Sequence, residues 1–375
     1  MRIGNEVPRG IYLKRTRKNL VSRLKREKYN ARNENWEIQE IKALSVEFKR
    51  RLKRKSSIVK SIINANKKVN LYAPENIDYY SAKNYRITNL FLNNIADCIL
   101  RAKRRVFLNF DNTEKISAAA MLSLLAQVEV LTSSNAVKGS SPISFSHPKS
   151  KKVKSILNQV GFYNLLNKTV GTVESFDDVN FWHHTSGECA DPSKARPMLD
   201  AISKEIKTIN SKKLYRGFIE AMANSVEHAY PLAGPCNKWW TFAGVREGKL
   251  VVVLCDKGVG IPATLPHTQS PSALRKVLRM LNVDFNHIKD SAYIKAATAL
   301  QNSSTKKKHR GKGLKDVMSV IRSTGEGYLS IFSNKGRFKY MGQNTAVEST
   351  INDYNTSING TIIEWSIPLE EVRTV

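Results

Sequence analysis

Apolar and polar positions change their period along this chain in a way that marks out its parts. From residue 69 to 168, short apolar runs alternate with amphipathic stretches. VNLYAPENI (69–77) reads as a strand and residues 87–102 as a helix. RRVFLNF (104–110) reads as a buried strand, 118–132 as a second helix, ISFSH (143–147) as a strand, and 151–166 as a closing helix. Alternating β and α units of this length predict an α/β layer with helices against a sheet. Residues 169–199 lose periodicity and read as a linker. A second domain is expected over 200–375, opening with a helix at 204–212 that leads into another at 215–230. Its strands are KWWTFAGVR (238–246) and KLVVVLCD (249–256), joined by a turn at Glu247-Gly248, then YLSIFS (328–333) and TIIEWSI (361–367). Helical patterns fall at 271–281, 291–300 and 314–323. The expected product is an α+β domain built on a mixed sheet. Ahead of all this, residues 1–68 are helix-prone, and 38–63 space apolar residues near a 3.6 period with cations between them.

Composition sharpens that picture mainly through charge. The chain has 375 residues and a formal net charge of +29. Residues 1–68 hold about 21 Lys and Arg against about 6 acidic residues, so the excess is concentrated there. Such a density attracts polyanions: nucleic acid, anionic lipid or an acidic protein face. Against nucleic acid stands the lack of any recognisable base-reading module or aromatic platform. The extension could dock on the body, pair with a copy of itself, or hold an anionic partner. No apolar run reaches the roughly 18 to 20 residues of a membrane span, and the N-terminus lacks the apolar core of a signal peptide. A cytoplasmic protein without a membrane span is therefore expected. Four cysteines (Cys98, Cys189, Cys236, Cys255) form no CxxC pair, which suits reduced thiols better than a disulfide frame or zinc site. His183, His184 and Cys189 cluster in sequence but lack a fourth metal donor.

Candidate chemistry centres on YRGFIEAMANSVEHAY (215–230). At helical spacing Glu220, Asn224 and His228 share one face, while Phe218, Met222 and Val226 populate another that can pack on a sheet. The strand at 249–256 ends in Asp256-Lys257-Gly258-Val259-Gly260. A carboxylate at a strand end, followed by alternate glycines, lets a flat ring lie against backbone while the carboxylate accepts from an exocyclic amine such as that of adenine. Farther on, residues 305–314 form a cationic, glycine-rich loop feeding a helix N-terminus, a physically reasonable phosphate cradle. It is not a Walker A loop, since the Lys-[Ser/Thr] step is missing.

Two family resemblances follow from these residues. VFLNFDNTEKISAAAMLSLLAQVEVL (106–131) and the helix over 153–166 resemble STAS domains, the fold of anti-anti-sigma factors. The phosphoacceptor run of switchable members falls on Ser117, Ala118, Ala119 and Ala120, so the resemblance implies a binding domain that is not phosphorylated. A one-residue slip would place the acceptor at Ser117. Over residues 200–370, the order Glu220-Ala221-Met222-Ala223-Asn224 with His228-Ala229, then the Asp256 and 311–314 motifs, resembles the GHKL ATP-binding (Bergerat) fold. The nearest flavour is that of anti-sigma-factor serine kinases and histidine-kinase-like ATPases. That resemblance implies a two-layer α/β sandwich, ATP and Mg²⁺. Glu220 would be the base and Asn224 the metal ligand. Asp256 would take the adenine amine, with Gly258 and Gly260 as its floor. Arg310, Gly311, Lys312, Gly313 and Leu314 would form a lid, and Thr361 would lie by the carboxylate. No transducer domain is expected after the last strand, and no phosphoacceptor His precedes the domain.

Together the readings predict a basic helical extension (1–68), a STAS-like α/β domain (69–168), a linker (169–199) and a GHKL-type domain (200–375). The function expected is that of an ATP-Mg²⁺-binding regulatory protein, a slow ATPase whose nucleotide state controls an unidentified protein partner bound through the STAS-like part. Two alternatives are a serine/threonine kinase acting on a partner, and a nucleic-acid scaffold acting through residues 1–68. Oligomerisation is left open.

Overall fold

The alternation over residues 69–168 folds as a small parallel α/β layer. Strands β1 (Val69–Tyr72), β3 (Val106–Asn109) and β5 (Ile143–Phe145) pair in parallel in that order, and the two-residue strands β2 (Asn76–Ile77) and β4 (Lys115–Ile116) pair beside them. The single strand expected over 69–77 divides into β1 and β2 because Pro74 lies between them and offers no N–H to a ladder. Helix α1 (Ala82–Ala96) starts at Ser81, whose side chain accepts from the Asn84 N–H, and runs on into a π-helical turn over Asp97–Arg101. Helix α2 (Ala118–Ser133) follows β4. The expected closing helix breaks into α3 (Lys151–Gln159) and α4 (Phe162–Leu165) at Gly161, whose φ of 78° is the left-handed conformation that ends a helix.

This computed structural model describes residues 68–102, 104–133, 141–170, 174, 176, 179–189, 191–205, 211–230, 237–283, 287–300, 314–342 and 348–369. The expected helix over 38–63, and every reading of residues 1–67, lie outside them. The described residues belong to one compact unit beginning at Lys68, and the chain is of the mixed α/β class.

The second half is built on a seven-stranded sheet. Its strands are β6 (Val179–Gly187), β7 (Trp239–Arg246), β8 (Lys249–Asp256), β9 (Tyr328–Ser333), β10 (Gly336–Met341), β11 (Ser349–Asp353) and β12 (Thr361–Pro368), in spatial order β11-β10-β9-β12-β8-β7-β6. Every neighbouring pair is antiparallel, so the mixed sheet expected from sequence is not what forms. The reason is local. β7 and β8 are joined by Glu247 and Gly248, both at positive φ (53° and 69°), and β9 and β10 by an equally short turn at Asn334. Two-residue connections make hairpins and cannot make parallel pairs. The stretch read as a linker supplies the edge strand β6, followed by helix α5 (Pro192–Glu205).

Both faces of this sheet are covered, which explains the unbroken apolar runs of β8 and β12. Along β7 and β8, Trp240, Phe242, Val251, Val253 and Cys255 point to one core, and Trp239, Ala243, Leu250, Val252 and Leu254 to the other. The first core is shared with the parallel layer through α2, in which every residue from Ala118 to Ala126 is buried. A helix apolar all round is one enclosed all round. On the opposite face lie α5, α6 (Ser211–His228) and, after α7 (Ile261–Thr268), α8 (Pro271–Met280) and α9 (Asp290–Ala299), helix α10 (Leu314–Thr324). Gly217 of α6 sits where α10 crosses: a Cβ there would lie 2.9 Å from Val320 and 3.0 Å from the Asp316 carbonyl.

Polar tethers fix the parallel layer to the sheet. Glu129 of α2 accepts from Lys238 Nζ (3.0 Å) and from the indole N–H of Trp240 (2.7 Å). The wholly buried Glu364 accepts from the hydroxyls of Tyr80 (2.6 Å) and Tyr328 (3.1 Å). Glu129→Ala should cost about 2–3 kcal/mol, because it strands a buried indole N–H and a lysine with little exposure. Urea denaturation checks this; a loss below about 0.5 kcal/mol would mean that the tether contributes nothing.

Candidate functional site

Asp256 ends β8, an interior strand beside the central β12, and is the hub of the site. It is 4% exposed. Its Oδ1 accepts from the backbone N–H of Gly258 (3.0 Å) and of Thr361 (3.2 Å), and its Oδ2 accepts from the Ser225 hydroxyl (3.2 Å). A carboxylate offers about four lone-pair sites, so among the described residues three are used and one on Oδ2 is not. Burial pushes the carboxyl up to about 6, against which the three hydrogen bonds and nearby Lys257 work. Sheet register sets this out: Asp256 pairs with Thr361, and Thr361 with Ser333, in one row across three strands. The hydroxyls of Thr361 and Ser333 lie 3.0 Å apart, and Ser333 Oγ takes the Ile261 N–H (2.9 Å) that opens α7.

Helix α6 brings the second set of residues. Its inward face is Leu214, Gly217, Phe218, Ala221, Met222, Ser225 and Ala229, all buried. Phe218 and Met222 therefore pack as the spacing predicts, with Val226 partly buried beside them. Glu220, Asn224 and His228 flank that face and are half-buried. Asn224, one residue from the hydroxyl that bonds Asp256, finds no side-chain hydrogen-bond partner among the described residues. Its amide oxygen suits a hard cation such as Mg²⁺. Among the described residues no three His, Cys, Asp or Glu side chains gather as a metal cluster.

The glycines hold the loop by a cause different from the one read in sequence. A Cβ on Gly258 would lie 2.2 Å from the Ala229 carbonyl oxygen, and the Val259 N–H donates to that same oxygen (2.8 Å). A Cβ on Gly260 (φ 83°) would meet the Asn334 side chain at 2.7 Å, whose amide donates to the Val259 carbonyl (2.8 Å). Close approach of protein to protein thus requires both glycines. The loop is pinned against the end of α6 on one side and the β9–β10 turn on the other.

Sequence reasoning missed four residues here. Ser225 and Ser333 are serines at buried positions, and Asn334 is a turn residue at φ 49°. The fourth is Lys257, whose buried ammonium donates to Ser123 Oγ of α2 (2.7 Å) and to the Ile358 carbonyl (3.2 Å); Ser123 also takes the Tyr79 hydroxyl (3.0 Å). Burial lowers the Lys257 ammonium below the ordinary lysine range. One signal was available for Ser225. It lies at i+4 from Ala221 and i+7 from Phe218, on the apolar face, where a serine must find a partner. Of the expected lid, Leu314 is the buried first residue of α10, and Arg310, Gly311, Lys312 and Gly313 lie outside the described residues. Among the described residues no helix is long and apolar enough to cross a membrane.

Comparison of the chain with protein-family models, with curated proteins and with solved structures gives no match.

Proposed function

We propose that residues 200–375 bind ATP with Mg²⁺ as a GHKL-type domain, and that the chain is a cytoplasmic regulatory protein with slow ATPase activity whose nucleotide state sets partner binding. The observation that carries this reading is the desolvated Asp256 carboxylate. Among the described residues it keeps one acceptor site unused, it is bonded to Ser225, the α6 residue next to Asn224, and it is tied to Thr361. An adenine amine is the complementary donor for a buried acceptor of that kind. Asn224 is the residue that would hold Mg²⁺, which when bound neutralises phosphate charge. Glu220, one turn earlier on α6, orients the water or hydroxyl that attacks the terminal phosphate.

A STAS-like role for residues 69–168 fits the same scheme. Ser117 is 2% exposed, with its hydroxyl enclosed and without a hydrogen-bond partner among the described residues, so a kinase cannot reach it in this fold. A binding role therefore suits the layer better than a phosphorylated switch. Lys257 joins the adenine-side loop to α2 directly, giving nucleotide occupancy a route to that layer.

Glu220→Ala should bind ATP-Mg²⁺ within about threefold of wild type by calorimetry and lose at least tenfold in turnover. Unchanged turnover would remove Glu220 from the chemistry. Incubation with γ-labelled ATP separates the two enzymatic readings: label released as free phosphate marks an ATPase, and label retained on an added partner marks a kinase.

A further inference from the structure

Helices α7, α8 and α9 pack around a small core of their own, with Leu265, Leu274, Leu278 and Ala296 at its centre. Their outer side holds an open cleft of about 530 Å³ whose floor is Pro266, Leu274, Leu278, Ile288 and Tyr293. Its rim carries Arg275 and Arg279, exposed, one helical turn apart on α8; among the described residues no carboxylate lines it. The cleft is built on fixed supports. Ser270 caps α8, with Pro271 in its first turn. Asp290 at the start of α9 accepts from the Lys335 N–H (2.9 Å), and the Ser291 N–H donates to Asp353 (3.0 Å). A Cβ on Gly336 would lie 2.4 Å from the Ser291 nitrogen, so α9 and β10 touch backbone to backbone.

We propose that this cleft is a docking surface for an acidic amphipathic helix of another protein. An apolar floor about 15 Å long, the length of the ten-residue α8, accommodates two turns of a partner presenting apolar residues at i, i+3 or i+4, and i+7. Two guanidinium groups on the rim grip carboxylates of that helix, a pairing that arginine makes bidentately. Charge selects the occupant. The chain's own long basic stretches carry the wrong sign: residues 1–68 are strongly cationic, and residues 301–313 contain cations and no acidic residue. A second copy, at a net charge of +29, is repelled for the same reason. The proposal does not rest on nucleotide binding, and its test is made without nucleotide.

The probe is a fluorescein-labelled helical peptide of about 14 residues with leucines at i, i+3 and i+7 and glutamates flanking them, followed by anisotropy against the full chain. Companion peptides replace Glu by Gln, Glu by Lys, or Leu by Ser. The double variant R275E/R279E alters two exposed residues, and circular dichroism checks its fold. The Glu peptide is expected to bind at least tenfold more tightly than its Gln and Ser counterparts. R275E/R279E should lose that binding at least tenfold and prefer the Lys peptide. Because the chain holds 61 Lys and Arg, Glu-peptide binding that survives R275E/R279E would show capture by charge elsewhere and overturn the proposal. Failure of the Glu peptide to bind, or indifference to loss of its leucines, would overturn it as well. Self-association in sedimentation that R275E/R279E abolishes would assign the cleft to a second copy instead.

Discussion

Asp256→Asn should weaken ATP binding at least a hundredfold while leaving the fold intact. The asymmetry follows from which atoms change. An asparagine keeps the Oδ1 acceptor, so the N–H groups of Gly258 and Thr361 remain paired. Its new amide faces the Ser225 hydroxyl, which can accept once its own proton turns from the former carboxylate to the Ala221 carbonyl (3.2 Å). The loss is confined to the open acceptor on Oδ2. An adenine amine would there meet an N–H donor in a desolvated site, a mismatch costing about 3 kcal/mol or more. Equal affinity of wild type and variant in calorimetry would sink the adenine assignment.

The same residue predicts a pH dependence whose sign is fixed. Burial raises the Asp256 carboxyl from 3.8 to about 6 in the folded state. The folded protein therefore holds this proton more tightly than the unfolded chain, and the resulting stabilisation is present below pH 4 and lost as pH rises through 6. Between pH 5 and pH 8 this one group removes about 1 to 1.5 kcal/mol from wild type and nothing from Asp256→Asn. Urea denaturation at the two pH values should show the variant gaining on wild type as pH rises. ATP affinity of the wild type should move oppositely and fall on going from pH 7 to pH 5, since the protonated acid loses its open acceptor.

What could be read from sequence was whatever a residue's own neighbours determine. Helix α2, strand β8, the Glu247-Gly248 hairpin and the α8 and α9 segments fell where the local pattern put them, α8 starting at its Ser270 cap. Strand direction did not show, because an apolar run carries no polarity; short turns fix it for the β7–β8 and β9–β10 pairs, and the other antiparallel pairs join strands distant in the chain or linked by longer connections. β6 was hidden by polar residues such as His184 and Thr185 on an edge strand. β10 was hidden by Arg337 and Lys339, whose cations lie over the rings of Phe332 and Tyr328 (4.8 and 4.4 Å) instead of in solvent. At the site, the α6 stripe and Asp256 with Thr361 were legible from motif order. Ser225, Ser333 and Lys257 were not, since each draws its role from partners 28 to 134 positions away.

Gly360→Ala should be the most damaging single substitution near the site, costing about 4 kcal/mol or more and lowering the melting temperature by on the order of 10 °C. Gly360 holds φ at 136°, a region that L side chains rarely adopt, and a Cβ there would lie 2.2 Å from the Asp256 carbonyl oxygen. Neither neighbour can retreat. The Gly360 carbonyl accepts from the Asn334 N–H (3.1 Å), and Thr361 pairs with Asp256 and Ser333 on either side. Any relaxation that relieves the overlap draws the Thr361 N–H off the Asp256 carboxylate, so nucleotide affinity should fall together with stability. Gly248→Ala is the control. It also has positive φ, 69°, but nothing lies within 4 Å of its added carbon. It should therefore lose only the backbone preference, about 1 to 2 kcal/mol. Equal losses at the two positions would mean that φ alone governs Gly360 and that its backbone contact with Asp256 does not constrain the site.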